Sequence, residues 1–185
     1  LVENINHLFS KKAVIANGVT PNSIYVRCSS VVLRDLFSSL CGSGAENKHL
    51  PKFVMKLPLD KQFIVLKALW LGDGCITRTF DHRYNKSWNI ASFKTISFEL
   101  AKQVQEMCFR MGFICGLRYE LPPEELHICN NLKNTYNAKK VYVITLHGDD
   151  VIAFKKSFKT NKIEPVFRKN KKGLSLSKDL VRINN

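Results

Sequence analysis

The sequence predicts an α+β fold: a mixed sheet with helices on one face. Three observations point to it. Five runs alternate apolar and polar residues as strands do, and three stretches carry apolar residues at helical spacing. From residue 60 onward the order of these elements is helix, strand, strand, helix, strand, strand, helix, which suits one sheet covered on one side. Of the 185 residues, 45% are hydrophobic and 24% charged, enough apolar material for a core.

Residues 23–28 read as a strand, followed by a helix over 31–40 whose stripe is Val32, Leu36 and Leu40. A second helix, over 60–71, carries Phe63, Ile64, Leu66 and Leu69 and is preceded by Pro58. Strands over 75–84 and 88–93 flank Asn85-Lys86-Ser87, which reads as a hairpin turn. The third helix, over 97–111, aligns Leu100, Val104, Met107, Cys108 and Met111, with Ser97 as N-cap and Gly112 beyond its end. Strands over 114–121 and 140–147 follow; Pro122-Pro123 ends the first, and the polar stretch 130–139 is a loop.

An internal comparison adds domain organisation. Residues 23–37 and 140–154 share one plan, an Ile/Val-Tyr-Val strand, a polar break and a short amphipathic helix. Each is followed by Asn-Lys-x-x-Pro, at Asn47 to Pro51 and at Asn161 to Pro165. Residues 1–51 are therefore expected to be the C-terminal part of an incomplete first repeat. Residues 52–185 form a second repeat with its principal helix over 60–74 and a basic tail. Since the chain opens with Leu1 inside that partial repeat, a fragment of a two-repeat protein is expected.

Lys and Arg number 29 against 15 Asp and Glu, a formal charge of +14. Spread over a foldable chain, this excess asks for a polyanion. Nucleic acid leads, because each neutralised phosphate releases counterions. A membrane surface would want a concentrated basic helix or run, which only Arg168 to Lys172 approaches. The apolar stretch 63–71 is broken by Lys67, and no signal-peptide pattern opens the chain, so an intracellular protein and no membrane are expected. The six cysteines form no CxxC pair, and His127-x-Cys129 lacks a second pair, so zinc is not predicted; free thiols in a reducing compartment are.

The strongest local signal is Leu66-Lys-Ala-Leu-Trp-Leu-Gly-Asp-Gly74. Ala68 and Gly72, one turn apart, let a second helix approach closely. Asp73 ends the helix, where the macrodipole disfavours a carboxylate. A second helix of the same kind would place two carboxylates side by side, tolerable with a hard cation such as Mg²⁺ between them. The plain alternative is an ordinary helix stop followed by a turn.

This segment resembles the name motif of the LAGLIDADG homing endonucleases. Leu66, the small residues Ala68 and Gly72, the acid Asp73 and Gly74 match it; the motif's earlier, non-essential Asp is Leu71 here. Upstream, residues 42–51 are similar to the linker that enters the second motif of two-motif, intein-type members, with Lys48 at the place of their active-site lysine. Downstream, 92–107 followed by Arg110-Met-Gly-Phe113 is similar to the strand and long helix after the motif. The resemblance implies a saddle built of αββαββα repeats, and a site-specific endonuclease that cuts both strands of genomic DNA with Mg²⁺ or another hard divalent cation. It implies that Asp73 and the backbone of Gly72 hold the metal, and that Lys48 and Lys162 flank the paired active sites, Lys159 lying close to the latter. Such lysines stabilise charge on the phosphate or assist the attacking water. The second carboxylate would come from the missing upstream repeat or from a homodimer.

Alternation after the motif puts Cys75, Thr77, Thr79, Asp81 and Arg83 on one strand face and Ile76, Arg78, Phe80, His82 and Tyr84 on the other. Ile76 and Phe80 belong against the helices, which leaves the first face for the major groove of double-stranded DNA. Thr77, Thr79, Arg83, Lys86, Lys94 and Arg118 are the contact candidates, with Arg27 as counterpart in the partial repeat. Lys139-Lys140, Lys155-Lys156 and Arg168 to Lys172 are expected to meet phosphates or supply general field. The competing class is a non-catalytic nucleic-acid binder or RNA maturase on the same fold, for which Asp73 and Lys48 would be dispensable.

Overall fold

A computed structural model describes residues 2–10, 12–17, 24–81, 85–121 and 139–164. The chain divides into two compact units, Leu1–Gly42 and Ser43–Asn185. This boundary precedes the expected one at residue 51, for a local reason. The Lys48 carbonyl accepts from Ser97 Oγ at 2.5 Å, and Leu50 exchanges two hydrogen bonds with the Gln103 side chain at 2.7 and 3.0 Å. Residues 48–50 are thereby fastened to the larger unit.

The smaller unit runs α1 (Val2–Phe9), β1 (Ala13–Asn17), β2 (Ile24–Cys28) and α2 (Val31–Cys41). β1 and β2 pair antiparallel from Ala13 opposite Cys28 to Asn17 opposite Ile24. Asn6 Oδ1 accepts from the Ala13 amide at 2.6 Å, tying α1 to the sheet. Ser30 caps α2 through the Leu33 amide, and Phe9 meets Phe37 edge-on at 6.0 Å. Two strands and two short helices cannot enclose a core: Ala13 is the one buried hydrophobic residue among the described residues here, while Leu8, Ile15, Val32, Leu36 and Phe37 are exposed.

The larger unit begins with a short 3-10 turn, Val54–Lys56, followed by α3 (Leu59–Asp73), β3 (Gly74–Asp81), β4 (Lys86–Thr95), α4 (Phe98–Arg110), β5 (Cys115–Glu120), β6 (Val141–His147) and α5 (Asp149–Thr160). The expected strands and helices of this region form within two residues of their predicted ends among the described residues; the last three residues of the strand expected over 75–84, and the loop expected over 130–139 except its last residue, lie outside them. The sheet order is β3-β4-β6-β5, and every pairing is antiparallel. This corrects the expected mixed sheet. A β5 laid beside β4 after the α4 crossover would have run parallel to it; instead β6 turns back and takes that place.

Register decides which face is covered. Ala91 and Phe93 of β4, Ile144 and Leu146 of β6 and Cys115 of β5 share the inner face with the buried residues of the helices. α3 contributes Phe63, Leu66 and Trp70, α4 Leu100, Ala101, Val104, Met107 and Cys108, and α5 Val151 and Phe154. Trp70 stands 4.6 Å from Phe154 and 5.8 Å from Phe93, ring centre to ring centre. Ser97 Oγ accepts from the Leu100 amide and so caps α4 as its position predicts. Ile76 and Phe80 lie on the inner face as expected, yet they are 36% and 47% exposed, because β3 is an edge strand extending past the helices. No helix among the described residues is long and apolar enough to cross a membrane.

Candidate functional site

The motif segment is the C-terminal half of α3, and its two faces differ sharply. Leu66 and Trp70 are buried against the sheet and α5. On the outer side Ile64, Val65, Ala68, Leu69, Gly72 and Asp73 line an open, largely apolar groove of about 470 Å³. Ile64 and Leu71 are 60% and 71% exposed, which is unusual for large apolar residues on a helix whose other face is core. A Cβ built on Gly72 meets no atom within 4 Å. Nothing described within this unit therefore demands a glycine there.

Asp73 is the last residue of α3 and is exposed at the end of that groove. Its carboxylate makes no hydrogen bond or ion pair among the described residues. Gly74 starts β3 opposite Phe93 of β4, and Lys48 is fastened through its carbonyl to Ser97, two residues beyond the end of β4. Asp73 and Lys48 are thus brought to the same end of the β3–β4 pair. The Lys48 side chain is exposed there.

Lys162 is placed differently. Lys67 Nζ donates to the Phe158 carbonyl at 2.8 Å and to Asn161 Oδ1 at 2.5 Å, so a lysine of α3 caps the C-terminus of α5. Asn161, in the left-handed conformation, makes the turn that leads to exposed Lys162. This tether lies six residues before Asp73 on α3, roughly 9 Å of helix. Lys162 therefore stands by the middle of α3, apart from the end that holds Asp73 and Lys48. Lys159 is exposed in the last turn of α5.

The outer face of the sheet carries Thr77, Thr79, Lys94 and Arg118 of the expected contact residues. Cys75, Thr77 and Thr79 of β3 stand opposite Ser92, Ile90 and Trp88 of β4, and all of this row except Ser92 and Ile90 is exposed. Lys94 of β4 and Arg118 of β5 lie on the same face, each opposite Val143 of β6. Both are engaged by a residue the sequence reading passed over: Glu120 accepts from Lys94 Nζ and from Arg118 Nη2, each at 2.8 Å. Those hydrogen bonds, from Lys94 and then Arg118, hold the Glu120 carboxyl below the usual glutamate range. The signal that could have found Glu120 is the strand period of two, which puts it on the face of Arg118. Lys86 pairs opposite Asp81 in the β3–β4 ladder, but its side chain, and Arg83 altogether, lie outside the described residues, as do His127, Cys129, the double proline and the basic tail. In the smaller unit Arg27 donates to Tyr25 Oη at 3.1 Å and lies over that ring. Lys139 and Lys156 are occupied by Glu46 and Glu164.

No cluster of three or more His, Cys, Asp or Glu able to hold a metal occurs among the described residues. Asp73 offers one hard oxygen donor, as a Mg²⁺ site shared with phosphate oxygens, water and one further carboxylate would use. The donor chemistry fits such an ion only when a second carboxylate is supplied alongside. No protein-family model matches the sequence, and no curated protein matches it at a significant level.

Proposed function

We propose that the chain is the DNA-engaging part of a LAGLIDADG-type, divalent-metal-dependent endonuclease that acts on double-stranded DNA. The observation that carries this reading is the outer face of α3. An apolar groove, a glycine with open space beside it and an unpartnered carboxylate at the groove's end together make a surface suited to a second helix of the same kind. A partner helix there covers Ile64, Ala68 and Leu71 and brings a second carboxylate beside Asp73. It comes from a further repeat or from a second copy of this chain. Asp73 and that second carboxylate would hold a divalent cation, which would supply charge neutralisation at the phosphate and activation of a water.

The chain's own residues have separate tasks in this reading. Asp73 binds the cation, with the Gly72 backbone beside it. Lys48, on its anchored segment at the same end of the sheet, places an ammonium near charge developing on the phosphate. Lys162 belongs to the flank of α3 and takes a phosphate farther along the duplex, or serves a second site. The outer sheet face, with Thr77, Thr79, Lys94 and Arg118, lies in the major groove, and the net charge of +14 supplies salt-dependent affinity.

The test is cleavage and binding of duplex DNA by wild type and Asp73→Asn. Mg²⁺-dependent cutting lost in the variant, with duplex binding retained, is the expected result. Cutting that survives the substitution removes Asp73 from the chemistry. A wild type that binds duplex but cuts none at any Mg²⁺ concentration rules out a second copy of this chain as the source of the second carboxylate, and makes the chain by itself a binding module on the same scaffold.

A further inference from the structure

Lys94, Val143 and Arg118 form one row across β4, β6 and β5 on the outer sheet face. Glu120, two residues beyond Arg118, reaches over this row: one carboxylate oxygen takes Lys94 and the other Arg118, each at 2.8 Å. The three side chains remain 55%, 39% and 55% exposed for Lys94, Glu120 and Arg118. Val143 beneath them is completely buried although it points away from the helices, so the stems of the long side chains roof it over. The trio is fixed in position by mutual ion pairs and still has capacity for other partners. Each carboxylate oxygen keeps a lone pair, the ammonium keeps two N–H groups, and the guanidinium has further donors.

We propose that Glu120 is a specificity-determining residue: it accepts from a cytosine amine in the major groove while Lys94 and Arg118 beside it donate to guanine, so the trio selects G·C pairs. The inference rests on the proposed seating of this face on duplex DNA. The groove edge of a base pair offers donors only at cytosine N4 and adenine N6. Adenine places its N7 acceptor beside that amine, which repels a carboxylate, whereas cytosine has no such neighbour. Guanine supplies two adjacent acceptors, O6 and N7, for Arg or Lys. Thymine would set an apolar methyl group against the two cations. A carboxylate flanked on two sides by cations thus matches a cytosine with guanine acceptors next to it. Glu120 also lowers the face's charge, giving up sequence-independent phosphate affinity for base discrimination.

The experiment is selection from a randomised duplex pool at one fixed, moderate salt concentration, using the full chain as wild type, Glu120→Gln and Lys94→Gln. Wild type should enrich a G·C pair at a defined position. Glu120→Gln should lose the cytosine preference there by about tenfold and shift toward adenine, whose N6 and N7 suit an amide, while other positions keep their preferences. Lys94→Gln should weaken the guanine preference next to that cytosine and leave the cytosine itself selected, which provides a reading should Glu120→Gln not fold. Identical base preferences in wild type and Glu120→Gln would overturn the inference, even with a lowered melting temperature, since Glu120 would then only roof Val143. Enriched duplexes without any G·C preference also overturn it and leave the DNA reading standing. A folded wild type that retains no duplex at all overturns both.

Discussion

A Cβ placed on Gly74 would lie 2.3 Å from Cδ1 of Trp70 and 2.6 Å from the Trp70 carbonyl oxygen. The glycine is required by this approach and not by its backbone, whose φ of −99° any residue adopts. Trp70, wedged between Phe93 and Phe154, has no room to yield. The indole therefore dictates how closely α3 can pass directly into β3, and hence where Asp73 is delivered.

Gly74→Ala should destabilise the larger unit by about 1–3 kcal/mol, the usual range for overpacking a tight site. Urea titration would report it as a lower midpoint with an unchanged slope. A variant as stable as wild type would mean that Trp70 can rotate away.

Gly72, two residues earlier, should behave in the opposite way. With open space at its Cβ position, Gly72→Ala is expected to leave the isolated chain as stable or to raise its stability by about 0.5–1 kcal/mol through helix propensity. Gly72→Leu should fold equally well yet abolish pairing of α3 with another such helix, seen as loss of cutting with a normal melting curve. Equal destabilisation by Ala at 72 and at 74 would contradict the assignment of the outer face to a partner.

Ser97 serves two elements at once, accepting from the Leu100 amide and donating to the Lys48 carbonyl from a fully buried position. Ser97→Ala should cost about 1–2 kcal/mol for the lost cap. Releasing Lys48 should also reduce cutting more than duplex affinity. Parallel loss of both would assign Ser97 a purely structural part.

The Glu120 pairs carry a pH signature. Because the carboxyl is held below its ordinary range in the folded chain, its stabilisation is complete above the unfolded glutamate pKa and disappears as the pH falls through the lowered one. Exposure and salt keep this contribution to about 1 kcal/mol or less. Denaturation midpoints of wild type and Glu120→Gln should differ above about pH 5 and converge in more acidic solution. Curves that stay parallel would show that the two ion pairs are not formed in solution.

Local sequence carried most of the larger unit. Ser97 announced a helix start, and the alternation after Asp73 a strand with Thr77 and Thr79 on one face; the hairpin also forms, but of the expected turn Asn85-Lys86-Ser87 the last two residues belong to β4, paired with Asp81 and Phe80. What a one-dimensional pattern cannot carry is which strand lies next to which. β6 separates β4 from β5 because of a long-range choice, and that choice alone puts Lys94 and Arg118 in one row under Glu120. α1 and β1 escaped because eight and five residues are too short a run to stand out, however regular their pattern. The motif helix was legible for the reverse reason: its glycine and exposed apolar residues fit no role inside the unit, and that mismatch is already visible in the sequence.

The strand order also governs how the unit assembles. β3 and β4 are neighbours along the chain and can meet early, but the middle ladder pairs Ile90 with His147, 57 positions away along the chain. Closing so wide a loop costs entropy before any contact rewards it, which slows folding. Until β6 arrives, the apolar stripe of α4, Leu100, Val104 and Met107, lacks half of the sheet that buries it. A chain emerging from the ribosome must therefore carry that sticky helix while the 37 residues from the end of α4 to the end of β6 are added, and its yield at high expression should depend on chaperones that shield such helices.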